Sequence, residues 1–259
     1  MSNLLDAAVI AIIARPQPAA QFRSLIFFSF DCFNMIPPHK KLALDLAQRY
    51  TLSRATYLIG KHRLEIFSIA NSYELLDELS EEAMKDEVLP YWAEIWPCSF
   101  VLAEFIMDDL PMPEKHCLEL GAGVGLVSVA AAKAGAHILA TDYAPEAMEF
   151  IRLNSWQNEV FVKAERMDWR DIRRTDNFDF IFAADVLYER RNLLPVVLAV
   201  DKLLRPDGAA YIADPRREIA KDFLALASEN NFKVEVYSKP LQTSDRLLNI
   251  DIYELKKQP

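Results

Sequence analysis

Three glycines, Gly121, Gly123 and Gly125, follow the apolar run CLEL, and an acid, Asp142, closes the next apolar run, HILATD. Read as strand, glycine turn and second strand, this pattern suits an adenosine-containing cofactor. Without a Cβ, the turn can leave the strand sharply and bring its backbone N–H groups and the following helix N-terminus up to a ligand. A nicotinamide or flavin fingerprint, G-x-G-x-x-G, is not met, because Leu126 occupies the sixth position and the third glycine comes one residue early. A phosphate-cradling P-loop needs a lysine directly after its glycines, and none follows until Lys133.

Further residues able to do chemistry end the later apolar runs: Asp168 and Trp169 in MDWR, Ala184, Asp185 and Tyr188 in FIFAADVLYE, and the arginines of DPRR at 214–217. Upstream, PYWAEIWP places Trp92 and Trp96 just before a helix start at Pro97. Core packing is the plain alternative for each tryptophan, a cap on the next turn for Asp185, and an exposed turn or a substrate contact for DPRR.

As a set, these motifs resemble the class I S-adenosylmethionine (SAM) methyltransferases, in which an acid, here Glu119, stands two residues before a G-x-G-x-G turn. The resemblance implies that Trp96, Glu119, Gly121, Ala122, Gly123, Asp142, Tyr143, Asp168, Trp169 and Ala184 form the SAM site. Asp142 would accept both ribose hydroxyls. Asp168 would accept from the adenine amino group, with Trp169 against the ring. The D-x-x-Y spacing of Asp185 and Tyr188, with the W-P and D-W elements, is similar to the lysine methyltransferases called methyltransferase family 16, over about 89–254. PYWAEIWP is nearest to the branch that acts on the electron-transfer-flavoprotein β-subunit and its bacterial relatives. An N-P-P-Y motif, which marks amide and nucleobase acceptors, is missing.

The implied chemistry is direct transfer of a methyl group to an amine. The amine must arrive neutral, which costs a lysine about 4–5 kcal/mol near pH 7. A nearby carboxylate raises an amine's pKa. Asp185 therefore suits an anchor that orients the amine better than a strong base, with Tyr188 walling its channel. Three functions stay open: protein-lysine methylation, which leads; methylation of a small-molecule amine; and non-catalytic SAM binding.

The elements that must position these residues alternate regularly. Strands are expected over 117–120, 137–142, 162–168, 178–186 and 209–214, with helices over 145–157 and 192–204, the latter stopped by a turn at RPDG. Such βαβ units build a parallel sheet buried on both faces. Residues 232–237 and 248–255 suit an antiparallel hairpin linked through Pro240. The resemblance completes the expectation: an α/β, Rossmann-like, seven-stranded, mostly parallel sheet with helices on both faces, plus an N-terminal α/β extension. That extension reads as a helix over 40–50, a strand over 63–69, an acidic helix over 73–86 and a helix from Pro97. Residues 35–114 would cover the active site and 115–259 would form the SAM-binding domain.

At 259 residues, 52% hydrophobic and 26% charged, the chain can bury a sizeable core. A net charge of −9 disfavours a general affinity for nucleic acid. Three scattered cysteines and four scattered histidines fit a reducing, cytoplasmic setting and no metal site. Residues 1–34 hold two apolar runs, each too short to span a membrane, and Met35 is the preferred start.

Overall fold

The computed structural model describes residues 10–11, 15–16, 37–75 and 89–258. The expectations for the rest of 1–34, and for an acidic helix beyond residue 75, lie outside the described residues. Ser72–Leu75, where that helix was to begin, forms a 3₁₀ turn.

Helix α1 (Pro38–Arg49) starts with proline in its first turn, where the missing N–H has no helical partner to lose. Strands β1 (Leu52–Ile59) and β2 (His62–Ile69) form an antiparallel hairpin turning at Gly60, whose φ of +55° suits glycine. The sequence reading found β2 and missed β1. Helix α2 (Pro97–Asp109) follows. Then come β3 (His116–Leu120), α3 (Leu126–Lys133), β4 (His137–Asp142), α4 (Pro145–Gln157), β5 (Lys163–Arg166) and β6 (Phe178–Ala184). The chain ends with α5 (Arg190–Leu203), β7 (Leu204–Asp214), α6 (Ala220–Glu229), β8 (Phe232–Gln242) and β9 (Leu247–Lys257).

These strands make a Rossmann-like sheet in the order β5-β4-β3-β6-β7-β9-β8, parallel except for β9, which runs antiparallel to both neighbours. Ile10–Ala11 pairs parallel with the outer edge of β8, and Arg15–Pro16 pairs with β1. Two expected turns lie within strands. RPDG is a bulge in β7: Leu204 pairs with Phe178 and Ala209 with Phe180, so residues 205–208 oppose one residue. Pro240 pairs with Asn249 inside β8, and the hairpin turns at 243–246 instead.

Side chains alternate across the sheet and fill two cores. Along β3, Cys117 joins the core beneath α2, α3 and α4, whereas Leu118 and Leu120 join the one beneath α5 and α6. The first core also takes in Leu46 of α1 and Leu64, Ile66 and Phe67 of the hairpin, so the N-terminal elements share packing with the sheet.

Asn154 on α4 and Asn158 at its C-cap, one helical turn apart, dock the hairpin. Asn154 accepts from Phe67 N (2.7 Å) and donates to Phe67 O (2.9 Å), while Asn158 does the same for Glu65 N (3.0 Å) and O (2.7 Å). Together they act as a surrogate strand for the β2 edge, satisfying groups whose burial would otherwise be costly. Asn154 also donates to Val124 O (2.8 Å), tying the hairpin to the glycine turn.

Candidate active site

The chain leaves β3 and β6 in opposite directions, which places a crevice at their carboxyl ends. A cavity of about 450 Å³ opens there, within the range of small-molecule sites. Its floor is the turn after β3. Gly121, Gly123 and Gly125 have φ of +69°, +53° and +88°. A Cβ on Gly121 would lie 3.0 Å from Val186 and 3.1 Å from Trp169, and one on Gly123 would lie 3.0 Å from Trp92 O. Conformation and close approach thus both require glycine at these two positions.

Asp142 closes β4 beside this turn. Its Oδ2 accepts from Gly123 N (2.8 Å) and its Oδ1 from Ala144 N (3.0 Å), leaving each oxygen further acceptor capacity. Burial raises its carboxyl above the ordinary value, against the lowering pull of those N–H groups. Asp168 and Trp169 follow β5. The Asp168 carboxylate takes Arg170 N (2.9 Å) and Nε (2.9 Å) on Oδ1, and Nε (3.1 Å) and a terminal nitrogen (2.8 Å) on Oδ2. The Arg170 side-chain bonds hold it below the usual carboxylate range. Arg170 thus supplies three N–H donors, one shared between the two oxygens, and leaves limited acceptor capacity for an adenine amino group. Tyr143, at the rim, lies beneath the guanidinium groups of Arg166 (5.0 Å) and Arg170 (5.5 Å).

The opposite wall is aromatic and comes from the N-terminal elements and the end of β6. Trp96 caps α2 and donates its indole N–H to Tyr91 O (3.0 Å). Tyr91 meets Trp96 at 5.9 Å and Tyr188 at 5.0 Å, both edge to face. Burial, then the charge of Glu189, pushes the Tyr188 hydroxyl up to about 12, so it stays protonated at neutral pH. Trp92 packs on Phe150 (5.6 Å), as the core reading expects, and also lines the cavity.

Asp185 is 5% exposed, has φ of +60°, and sits at the cavity wall beside Ala184. Its Oδ2 accepts from Cys98 N (2.9 Å) in the first turn of α2, and its Oδ1 from Arg217 (2.7 Å). Asp185 thus caps the first turn of α2, not the turn that follows it in the chain. The side chain of Arg217 also pairs with Asp214 (2.9 Å) and does not line the cavity, so the substrate-contact reading of DPRR is corrected for this residue. Arg173, Arg174 and Arg216 are likewise paired with acids and form no unbalanced basic patch. The sequence reading missed Tyr91 and the inward turn of Arg217; the aromatic run PYW was the available signal for the first, and none existed for the second.

The structure gathers the sequence-derived site residues around this cavity with one exception, Glu119. Strand alternation turns its side chain toward α3, where it is 1% exposed and accepts from Ser128 Oγ. Burial pushes its carboxyl up to about 8, opposed by the Ser128 hydrogen bonds. A carboxyl raised in the folded state is most stabilising when protonated, so its contribution is lost as pH rises from about 4.5 through about 8. Glu119→Gln should flatten the fall of Tm across that window and gain on the parent chain above it, as measured by thermal melts from pH 5 to 9. Parallel curves would refute the assignment.

Among the described residues no group of His, Cys, Asp and Glu could hold a metal ion, and no helix is long and apolar enough to cross a membrane. Comparison with known proteins gives a consistent answer. A family model described as lysine methyltransferase matches residues 81–230. Mouse protein-lysine methyltransferase METTL21E is 33% identical over 65% of this chain and 72% of its own length. Zebrafish protein N-lysine methyltransferase METTL21A is 33% identical over 68% and 77%. For other curated relatives the match spans as little as 44% of their length. A TehB-like SAM-dependent methyltransferase from Corynebacterium glutamicum shares the fold, with a TM-score of 0.51 at 18% identity over 73% of this chain and 100% of that one. By sequence match across most of the sheet, and by a fold common to SAM-dependent methyltransferases, the chain belongs to the lysine methyltransferase family.

Proposed function

We propose that this protein transfers a methyl group from SAM to the side-chain amine of a lysine in a protein substrate. The observation that carries the reading is the character of the cavity wall beyond the glycine turn. Among the described residues, carboxylates of Glu94, Asp142, Glu146, Asp168, Asp185 and Glu189 line the cavity against Arg170 and Arg191. Beside them stand the aromatic rings of Tyr91, Trp96 and Tyr188. Acid and aromatic faces together suit a cationic side chain with a long apolar stem.

In this reading residues 115–259 hold the cofactor, and 35–114 cover the site and supply Tyr91 and Trp96. The glycine cradle, the spare acceptor capacity of Asp142 and the cavity size fit SAM. Gly121, Ala122 and Gly123 would hold the cofactor along the turn, Asp142 would accept from its ribose, and Tyr143, Asp168, Trp169 and Ala184 would hold its adenine end. When bound, SAM supplies a methyl group on a sulfonium that departs neutral. The protein's task is then alignment. Asp185 orients the amine with the acceptor capacity left beyond its two protein donors. Tyr188 and Tyr91 strip water from the amine, which lowers its pKa, and a protonated Tyr188 adds no charge to oppose that.

The test is transfer of labelled methyl from SAM into a cell extract separated into protein and small-molecule fractions, with the labelled protein digested and its lysines analysed by mass. Label on lysine in one discrete protein is the expected result. Label confined to small molecules would replace the protein substrate with a free amine. SAM binding without transfer would overturn catalysis.

A further inference from the structure

The two arginines of DPRR diverge. Arg216, at φ of +62°, turns outward to Asp251 on β9 (2.9 Å and 3.0 Å). Arg217 turns inward and bridges two carboxylates. One terminal nitrogen donates to Asp185 Oδ1 (2.7 Å), the other to Asp214 Oδ2 (2.9 Å), and its backbone N–H donates to Asp214 Oδ1 (2.6 Å). Asp214 has no exposed surface and ends β7, the strand beside β6.

A carboxylate rotates about its last bond in a broad, roughly two-fold well. Asp185 has a donor on each oxygen from a different element, Cys98 N of α2 on one and Arg217 on the other. Neither donor alone would hold the plane of the carboxylate, whereas the two together do. The chain of contacts Asp214, Arg217, Asp185 and the α2 N-terminus also joins the sheet to the helix that Trp96 caps.

We propose that Arg217 is a positioning residue: from behind the cavity it fixes the carboxylate plane of Asp185, and with it the direction in which the acceptor amine is held. The inference rests on the reading of Asp185 as the amine anchor. Because Arg217 is outside the cavity, its effect should fall on turnover and spare SAM affinity.

The experiment uses the full chain, SAM labelled in its methyl group and the protein fraction of a cell extract at fixed concentration as acceptor. Initial rates against SAM concentration separate turnover from KM for SAM, calorimetry gives SAM affinity, and Asp185→Asn runs alongside. Arg217→Met should lower turnover roughly 10- to 100-fold, the loss of one charge-assisted hydrogen bond, with SAM affinity within about threefold. Arg217→Lys keeps a cation between the carboxylates and so guards against misfolding, but it lacks the fork that reaches both. It should lower turnover at least about fivefold. The double variant with Asp185→Asn should be no slower than Asp185→Asn by more than about twofold, because the two residues act as a unit. Unchanged turnover in Arg217→Lys, or a loss in Arg217→Met that follows SAM affinity, would overturn the inference while leaving the anchor reading in place. Full turnover in Asp185→Asn would instead remove the anchor reading itself.

Discussion

Asp142→Ala should weaken SAM binding by at least about 100-fold while the chain stays folded. The carboxylate already accepts from Gly123 N and Ala144 N, so it shapes the glycine turn before any ligand arrives. Two further bonds from ribose hydroxyls to an ionised acceptor, at roughly 1.5–3 kcal/mol each, together exceed the ~2.8 kcal/mol that a 100-fold change requires. These bonds favour the ionised form, so binding also opposes the upward shift that burial imposes on this carboxyl. Loss of the turn's own partners costs less, because Asp142 is only half-buried and water can replace it there. Titration calorimetry with SAM decides the matter, alongside a thermal melt. An affinity within fivefold of the parent chain would show that Asp142 serves the turn alone.

The reach of the sequence can be followed residue by residue. The glycine turn, Asp142 and the ends of β5 and β6 were legible because each lies at a strand end, and a parallel α/β sheet sends all such ends to one crevice. Chain order alone therefore brought Asp142, Trp169 and Asp185 together across 43 positions. Glu119 was assigned to the cavity from its motif, yet strand alternation places it on the face toward α3, opposite Leu118 and Leu120. Attention to parity would have caught it. Strand β1, with burial on both sides of LSRATYLI, has no clean alternation, and its partner β2 is itself docked by Asn154 and Asn158, about 90 positions away. Arg217 is the harder case. Two arginines in a row after a strand look alike, and only the left-handed backbone of Arg216 sends one to solvent and the other to Asp185.

Asp185→Asn is the substitution expected to separate chemistry from cofactor binding most sharply. An asparagine is nearly the shape of an aspartate, but it has one acceptor oxygen and an NH₂ group that only donates. At this position both oxygens face donors, Cys98 N–H on one side and the Arg217 guanidinium on the other. Whichever way the amide turns, its NH₂ must confront a donor. The substitution therefore removes the charge that holds the amine and also breaks one of the two contacts that fix the side chain's plane. A displacement of the order of 1 Å at the reacting centre can cost about 100-fold in rate, so a fall in turnover of roughly 100- to 1,000-fold is expected. SAM affinity should stay within about threefold, because the cofactor's expected partners, Gly121, Gly123 and Asp142, lie in the turn after β3 and at the end of β4, where Asp142 bonds Gly123 N and Ala144 N. Stability should drop by about 2–3 kcal/mol, less than a fully buried ion pair would lose, since Arg217 keeps Asp214 and is partly exposed. Rapid-mix transfer rates, SAM calorimetry and thermal melts on one preparation test all three. Turnover above a third of the parent value would rule out the anchor. A parallel loss of SAM affinity would make Asp185 a strut for α2 and the W-P element, with the amine held by the aromatic wall alone.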